Sequence, residues 1–384
     1  MLEVTNNLVL TCLDENLDIV GYVDEFKSFS WGYSYAGIGK WTLTAPISAT
    51  HTRNVLKASQ YIVVKNIPSR VYNTYTGEPQ VSGIITEIRE DYKPSGDTFT
   101  VSGLELKGIA NRRIMLTDPT THTNKLARVI MMWGIVDNIT SPSDSNRQIL
   151  GGTTHKSTNS DDGEYPDQYS NLADALQVLG EAHDIGWEAT IDQNATTGVY
   201  GISWFTYDGY DRTGDDANVD PIYLSFDNDT LNEANYKINM DALQNFAYIG
   251  GSGTGSSRTI KTTYDTDTLP TGVKRYETFV EASNEGTDTT KLTDKGQEAL
   301  SQYESTDTIT VKPSWGLLKK FGTNYYIGDL FLFSSLNAKM RLTEGTLTFE
   351  GNEVTCTLTF GYRADDMKSA MRIMLRNYKN MVNA

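Results

Sequence analysis

Residues 29–46 read FSWGYSYAGIGKWTLTAP, and this stretch decides the fold class. Large side chains alternate with small polar ones on both sides of the Gly-rich loop at 36–40. A period of two on each side of such a loop is typical of a β-hairpin with one buried aromatic face. The alternating large residues are Phe29, Trp31, Tyr33 and Tyr35 before the loop, and Trp41, Leu43 and Ala45 after it.

The strand pattern continues on either side of this hairpin, up to residue 108. An apolar run at 61–64 predicts a short buried strand, and residues 81–90 and 98–102 predict a second hairpin. Several short strands in so short a segment favour a small barrel, because closure removes exposed strand edges. We therefore predict a first β-barrel domain at residues 1–108.

Residues 109–235 depart from this pattern and predict an α/β insertion domain. The predicted elements are helices at 104–114 and 125–134, a long surface loop at 140–169, a helix that begins after the N-cap Ser170 and ends at Gly186, and strands at 187–191 and 200–207 joined by a turn at 194–198. The apolar face of the helix consists of Leu172, Ala175, Leu176, Leu179 and His183.

From residue 236 the β pattern returns, and it predicts a second β-barrel domain at 236–362 with an insertion at about 262–306. The predicted elements are strands at 245–250, 308–311 and 325–333, a helix at 293–303, and a closing hairpin whose turn is 350–353. In this hairpin Leu347 and Phe349 face Val354, Cys356, Leu358 and Phe360.

Residues 363–384 predict a C-terminal amphipathic helix. Asp365 and Asp366 lie at its start, and Arg372, Arg376 and Lys379 lie near its end, as the helix dipole favours. Its apolar face would pack on its own domain, associate with another copy or dock a further protein. This face consists of Met367, Ala370, Met371, Met374, Leu375 and Tyr378.

Composition excludes several classes of protein. The net charge of −16, from 33 basic and 49 acidic residues, argues against nucleic-acid binding by phosphate neutralisation. Cys12 and Cys356 lie far apart in the sequence, so they do not form the pattern of a disulfide framework. Two isolated cysteines are typical of a protein that assembles in a reducing cytosol. The first residues lack the pattern of a signal peptide, and no apolar stretch has the length of a membrane span.

Motifs that could carry chemistry are incomplete. Residues 250–257 are Gly-rich but lack the Lys and the following helix of a phosphate-binding loop. A loop at 208–220 is rich in aspartate, yet its spacing matches no EF-hand, so a solvated turn is favoured over a calcium site. We therefore predict no catalytic, cofactor-binding or metal-binding residues. The four histidines, none at zinc-ligand spacing, are His51, His122, His155 and His183, and the aspartates are Asp208, Asp211, Asp215, Asp216 and Asp220.

In their order along the chain, five stretches resemble the tail-hub proteins of siphophages. This group includes the N-terminal structural module of tail-associated lysins and is related in fold to contractile-tail baseplate hubs and type VI spike hubs. The stretches are YAGIGKWTLTAP at 35–46; VSGIIT at 81–86 with VSGLEL at 101–106 and NRRI at 111–114; YDGYDRTG at 207–214; NFAYIGG at 245–251; and YYIGDL at 325–330 with FGY at 360–362.

The resemblance implies a non-enzymatic protein with two β-barrels and α/β insertions, arranged as a homotrimer around a three-fold axis. Its ring would continue the tail tube at the tail tip of the virion. Expected partners are the distal tail protein, the tape measure protein, and a tip fibre, spike or receptor-binding protein. The acidic balance would then let DNA pass through the ring without binding it.

Two other functions remain open at this point. The wealth of Tyr and Trp is compatible with a protein that binds carbohydrate or a host receptor, because sugars stack on aromatic rings. A cell-wall hydrolase is the second alternative, since catalytic carboxylate pairs cannot be recognised among 49 acidic residues.

Overall fold

The computed structural model describes residues 8–72, 77–94, 96–116, 126–149, 151–163, 166, 168–193, 199–239, 243–266, 268–301, 306–334 and 338–361. The chain divides into two compact units: unit 1 comprises Met1–Ala234 with Thr310–Phe360, and unit 2 comprises Asn235–Ile309 with Gly361–Ala384. The predicted helix at 363–384, the predicted turn at 194–198, Tyr362 and His122 lie outside the described residues. The division into four domains stays a prediction.

Strands dominate the described chain, which confirms the mainly β part of the prediction of a mainly β fold with α+β insertions. The strands are β1 Val9–Leu13, β2 Ile19–Tyr22, β3 Ser28–Ser34, β4 Lys40–Pro46, β5 Tyr61–Lys65, β6 Gln80–Asp91, β7 Thr98–Glu105, β8 Gly151–His155, β9 Gly186–Gln193, β10 Tyr200–Tyr207, β11 Tyr223–Leu224, β12 Leu231–Asn239, β13 Phe246–Gly250, β14 Ile260–Tyr264, β15 Glu277–Glu281, β16 Thr306–Pro313, β17 Leu330–Phe333, β18 Ala338–Glu350 and β19 Glu353–Gly361.

The helices are fewer and shorter. The α-helices are α1 Thr50–Lys57, α2 Ala127–Ile135, α3 Leu172–His183, α4 Thr289–Ser301 and α5 Trp315–Leu318; 3₁₀ turns occupy Leu106–Arg112, Ser145–Arg147, Gly255–Ser257, Gly272–Lys274 and Ser283–Glu285, and a π-helical turn Val136–Thr140. The helix predicted at 104–114 is therefore a 3₁₀ turn.

The hairpin predicted at 29–46 is β3 and β4, and it lies at the centre of the main sheet. Trp31 pairs with Trp41 across it, and their rings stack at 6.4 Å with an interplanar angle of 7°. On the other side of β3, Leu347 of β18 lies opposite Trp31. All three side chains are buried, so the alternating aromatic face predicts the core correctly.

The main sheet has 13 strands in the order β12-β16-β19-β18-β3-β4-β7-β6-β5-β1-β2, with β17 beside β18 and β11 beside β17. The pairing of β3 with β18 joins strands from both predicted barrel segments in one sheet. Among the described strands this pairing closes no barrel, so the prediction of two barrels is not confirmed. The closing hairpin β18–β19 is confirmed, and Gly351 in its turn has the positive φ of 56° that such a turn requires.

The α/β part of unit 1 is a three-stranded sheet in the order β8-β10-β9, with α2 and α3 packed in one core with it. The prediction of one long loop at 140–169 is wrong, because β8 lies within that range and pairs in parallel with β10. The sequence GGTTH of β8 has almost no apolar residue, so its strand conformation comes from its partner and not from local alternation.

The predicted limits of α3 shift slightly at both ends. Asn171, not Ser170, is the N-cap, because its side-chain Oδ1 accepts from the N–H groups of Ala173 at 2.9 Å and Asp174 at 3.3 Å. The helix stops at Asp184, which has a left-handed φ of 56°. Gly186 instead opens β9, where an added Cβ would lie 2.3 Å from the Tyr35 ring.

Replacing Asn171 with alanine should lower the free energy of unfolding by about 1 kcal/mol, because two N–H groups of the first turn lose their acceptor. Urea unfolding followed by circular dichroism measures this loss. Ser170→Ala is the matched control, and we expect it to cost less than Asn171→Ala, because Asn171 accepts from the first turn of the helix. Equal losses in both variants would contradict the assignment of the cap.

Unit 2 contains a sheet in the order β14-β13-β15, and α4 packs on it. The predicted helix at 293–303 corresponds to α4, and the predicted strand at 245–250 to β13. The core between helix and sheet consists of Ala247, Ile249, Ala282, Leu292 and Leu300, with Val280 packed against it.

Candidate functional site

The third and fifth stretches that carry the family resemblance meet at Asp329. Its buried carboxylate accepts from Arg70 Nη2 at 2.8 Å and from Arg212 Nε at 2.8 Å. The backbone N–H groups of Tyr210 and Tyr326 donate to the same carboxylate at 3.0 and 3.1 Å. We call Arg70, Arg212 and Asp329 the Asp329 junction. It ties together three segments of unit 1 that are distant in sequence.

Arg70 contributes more to the junction than one ion pair. Its guanidinium lies 4.8 Å from the ring centroid of Tyr207, 5.3 Å from that of Tyr210 and 5.1 Å from that of Tyr326. It also donates to the carbonyl of Asp208 at 3.1 Å. A planar, permanently charged group can stack and form several hydrogen bonds at once, which a lysine cannot.

The glycines of the two stretches allow this close approach. A Cβ on Gly209 would lie 1.5 Å from the carbonyl oxygen of Gly328, so only glycine fits there. Gly328 has a φ of 93°, and its own Cβ would meet the Tyr35 ring at 2.4 Å. Gly209 of YDGYDRTG and Gly328 of YYIGDL are therefore required by backbone packing beside Asp329.

A second buried polar group brings the first and second stretches together. Lys107 is fully buried, and its Nζ donates to the carbonyl of Ser34 at 2.6 Å and lies 3.3 Å from Glu105 Oε2. The same Glu105 oxygen accepts from the N–H of Gly39 at 2.6 Å. We call the three residues Glu105, Lys107 and Glu188, the last of them on β9, the Lys107 cluster.

The two carboxyl groups of the Lys107 cluster are strongly perturbed. Burial raises the pKa of Glu188 to about 8; the charge of Lys107 opposes this rise, and the Glu105 carboxylate adds to it. Burial also raises the pKa of Glu105, against the attraction of Lys107. The cluster has one ammonium group and two carboxyl groups. Its net charge is therefore zero when one carboxyl group stays protonated and the other is ionised.

A small, partly open cavity of unit 1 lies beside both groups and has about 40 Å³ of space for water molecules. A single water needs about 10–15 Å³ on this measure, so the cavity suits a few waters and not a sugar or peptide. Its lining includes Arg70, Gln80, Glu105, Glu188 and Tyr207. Gln80 donates to the carbonyl of Ile191 at 2.9 Å, so this lining amide is already used in packing.

The remaining candidates from the sequence do not form a site within the described residues. His51 and His155 are exposed and His183 is half-buried at the end of α3; none of them lines the cavity. Nowhere in the described ranges do three or more histidine, cysteine, aspartate or glutamate side chains come together as metal ligands would.

The aspartates of the acidic loop at 208–220 have hydrogen-bond and ion-pair partners of their own. Asp208 accepts from the hydroxyl of Ser157 at 2.5 Å and from the N–H of Thr158 at 2.6 Å. Asp211 accepts from the N–H of Thr213 at 2.8 Å, and Asp215 pairs with Lys339. Asp216 accepts from the N–H of Asn218 at 2.9 Å, and the backbone carbonyl of Asp220 accepts from Arg212 Nη1 at 3.2 Å. The carboxylates with these contacts have separate partners and do not converge on one point.

The Gly-rich stretch 250–257 connects β13 to β14 as an antiparallel hairpin. A short 3₁₀ turn at Gly255–Ser257 is followed by a strand and not by a helix, as the sequence indicates. Arg258 closes the loop, because its Nη2 donates to the carbonyl of Gly250 at 2.9 Å. The loop therefore lacks the helix N-terminus that would hold a phosphate.

Both cysteines are free and buried, Cys12 in β1 and Cys356 in β19. Burial raises the pKa of each thiol to about 12. We expect neither to react with a thiol reagent in the native protein at pH 8, because reaction requires the thiolate. Both should react once the chain is unfolded in guanidinium, and rapid labelling of the native protein would contradict this prediction.

A family model described as "Siphovirus ReqiPepy6 Gp37-like protein" matches residues 9–362. The chain belongs to this family. The match covers all five stretches quoted above, and the resemblance to siphophage tail proteins is confirmed. No curated protein matches the chain.

Solved structures place the fold among phage tail and baseplate proteins. The tail protein from Neisseria meningitidis MC58 has a TM-score of 0.52 at 11% identity, with 93% of this chain and 97% of that chain covered. A chain of the p2 virion baseplate in its activated conformation has a TM-score of 0.50 at 10% identity, with 92% and 98% covered. No helix within the described ranges is both long and apolar enough to cross a membrane.

The sequence alone does not predict the Asp329 junction or the Lys107 cluster. Arg70 lies in a turn with no motif, and Asp329 is 259 residues away from it. A signal for Lys107 does exist in the sequence. Lys107 follows a strand-like run at 101–106 in which alternate residues are buried, and an apolar turn follows Lys107 directly. A lysine in such a position is often buried together with a carboxylate.

Proposed function

We propose that the chain is a structural hub subunit of a bacteriophage tail tip. It would be a component of the virion, and three copies would form a ring that continues the tail tube. The family match and the tail and baseplate fold support this proposal. The observation that carries it is the Asp329 junction, because its charges pair with one another and join distant segments of unit 1 that include two of the family stretches.

The proposed ring would contact the distal tail protein on one side and a tip fibre, spike or receptor-binding protein on the other. The tape measure protein would end inside it. The acidic surplus of the chain fits a channel through which DNA passes without binding. We also propose that the four predicted segments, two of them barrel-like, are the domains of the assembled hub.

Light scattering coupled to size exclusion tests the ring. Purified protein should give a mass three times that of the 42.7 kDa chain. Immunogold labelling of intact phage should place the protein at the tail end away from the head. A monomer at all micromolar concentrations, together with no labelling of the tail, would contradict the proposal.

A cell-wall hydrolase is the alternative that the Lys107 cluster raises, because a pair of carboxyl groups in which burial raises the pKa of an acid is typical of glycosidases. The small cavity and the hydrogen bonds of Glu105 argue against this function. Zymography on host cell walls tests it directly. Clearing by the native protein that is lost in Glu188→Gln would support the hydrolase and contradict a purely structural role.

A further inference from the structure

Three arginines of unit 1 lie close together at the end of the second family stretch, which reads NRRI at 111–114. Arg112 ends the 3₁₀ turn that follows β7, Arg113 comes next, and Arg147 ends another short turn. Burial lowers the pKa of Arg113, and the charges of Arg147 and Arg112 lower it further, so the three guanidinium groups repel one another. We call Arg112, Arg113 and Arg147 the arginine cluster.

No described carboxylate forms an ion pair with the arginine cluster. Other arginines of unit 1 do have such partners within the described ranges, among them Arg53, Arg70 and Arg212. The chain has 49 acidic and 33 basic residues, so it offers more than one carboxylate for every cation. Positive charge that stays uncompensated in such a chain indicates a site for an anion from another molecule.

Hydrogen bonds to the backbone fix two of the three arginines. Arg113 Nη2 donates to the carbonyl of Arg147 at 3.3 Å, and Arg147 Nη2 donates to the carbonyl of Ile114 at 2.7 Å. Arg113 Nη1 also donates to the carbonyl of Arg112 at 3.2 Å. The two segments therefore hold each other in place, and their charges are positioned before a ligand binds. A side chain that is already fixed loses less conformational entropy on binding than a free one.

The arginine cluster does not stabilise unit 1 by itself. The Nε atom of Arg113 is buried and has no hydrogen-bond partner among the described residues. A buried donor without an acceptor and the repulsion of three like charges both lower the free energy of unfolding. Residues that cost stability without a gain in packing are typical of functional sites.

Exposed apolar side chains lie next to the arginine cluster. Ile114 is 50% exposed and Leu116 is 41% exposed, whereas Met115 between them is buried. Tyr169, whose N–H donates to the carbonyl of Met115 at 2.7 Å, is 69% exposed and has a φ of 72°. A bulky residue in this left-handed region is strained, and such strain is found mainly at functional sites. The surface therefore combines cations with apolar and aromatic side chains.

The backbone of this exposed segment is already used. The carbonyl of Ile114 accepts from Arg147. The N–H of Leu116 donates to Asn138 Oδ1 at 2.9 Å, and its carbonyl accepts from Gln168 Nε2 at 2.9 Å. A partner therefore does not add a strand at these positions and has to bind through side chains.

We propose that the arginine cluster, with Ile114 and Tyr169 beside it, binds an acidic segment of a partner polypeptide. Carboxylates of this segment accept from the remaining N–H groups of Arg112 and Arg147, and its apolar side chains cover Ile114 and Tyr169. Arginine and tyrosine are enriched where proteins bind one another. Nucleic acid fits this surface less well, because the net charge of −16 repels a long phosphate backbone. The proposal does not depend on the ring.

Fluorescence anisotropy with synthetic peptides tests the proposal on the full-length chain. The probe is a labelled peptide in which glutamate alternates with leucine. A second peptide, in which glutamate alternates with serine, keeps the charge and lacks the apolar side chains. The first peptide should bind saturably and about tenfold more tightly than the second. Salt should weaken the binding of both, because it screens the attraction between carboxylate and guanidinium.

Arg112→Gln is the decisive variant, since Arg112 is exposed and its side chain forms no hydrogen bond with another described residue. It should weaken the binding of both peptides about tenfold and leave the urea unfolding midpoint unchanged. Arg89→Gln is the matched control, because it removes the same charge at an exposed site where Arg89 pairs with Asp91 at 3.0 Å. It should leave both affinities unchanged. Ile114→Ser should weaken only the peptide that contains leucine, by about threefold.

Three results of this experiment would overturn the proposal. Equal weakening by Arg89→Gln and Arg112→Gln would mean that net charge alone attracts the peptides. No saturable binding of the peptide that contains leucine would mean that the arginine cluster does not recognise acidic polypeptide. Tighter binding of a DNA oligonucleotide than of either peptide, lost in Arg112→Gln, would assign the arginine cluster to nucleic acid.

Discussion

Replacing Asp329 with alanine is expected to lower the free energy of unfolding by about 3–5 kcal/mol, one of the two largest effects we predict. The substitution leaves Arg70 and Arg212 without their shared carboxylate, and the side chain of Arg212 is only 9% exposed. It also leaves the N–H groups of Tyr210 and Tyr326 without an acceptor. Urea unfolding, followed by tryptophan fluorescence, measures the change.

Asp215→Ala is the control for this prediction, because Asp215 pairs with Lys339 at the surface, where its side chain is 65% exposed. Exposed ion pairs contribute about 0–1 kcal/mol, so the control should unfold almost as the native protein does. If Asp329→Ala lowered the free energy of unfolding no more than Asp215→Ala does, this result would contradict a structural role for the junction. Asp329→Asn should be intermediate, since it keeps the size of the side chain and loses its charge.

The second large effect concerns pH. The pKa of Glu188 is raised from 4.5 to about 8 in the folded protein, mainly by burial. The folded state therefore keeps a proton that the unfolded state releases, and stability falls as the pH rises from about 4.5 to about 8. Glu188→Gln cannot ionise, so it should remove this loss and raise stability at pH 9 by about 2–4 kcal/mol relative to the native protein.

Thermal unfolding of both proteins between pH 4 and pH 9 measures this difference. Below pH 4.5 the two proteins should differ little, because Glu188 is then protonated in both states. Glu181→Gln, on the exposed side of α3, is the matched control and should keep the native slope. Parallel curves for native protein and Glu188→Gln would show that Glu188 ionises without cost in the folded state.

Local patterns in the sequence predict much of this fold. The alternation around Trp31 and Trp41 predicts a hairpin and its buried face, because side chains on a strand alternate between two sides. The pattern predicts helix α3 with limits in error by one or two residues, since Ser170 and Asn171 are both good caps and the pattern does not decide between them. Both features depend only on neighbouring residues.

Features that depend on distant residues were not predictable in this way. The polar strand β8 forms because β10 offers it a partner, and nothing in GGTTH indicates this. The two predicted barrels assumed that strands pair near their neighbours in sequence, whereas β3 pairs with β18. The Asp329 junction joins residues 259 positions apart, and pairs of opposite charge are too numerous in the chain for one to stand out.

The pairing of β3 with β18 also has a consequence during synthesis. Ser30 and Thr348, which contact each other across these strands, are 318 residues apart. At a translation rate of about 5–20 residues per second, the ribosome needs roughly 15–60 s to deliver the second strand after the first. During that time one edge of β3, with Phe29 and Trp31 beside it, has no strand to pair with. Nascent chains of this protein should therefore bind chaperones in the host cell, and should aggregate when their synthesis is interrupted before residue 338.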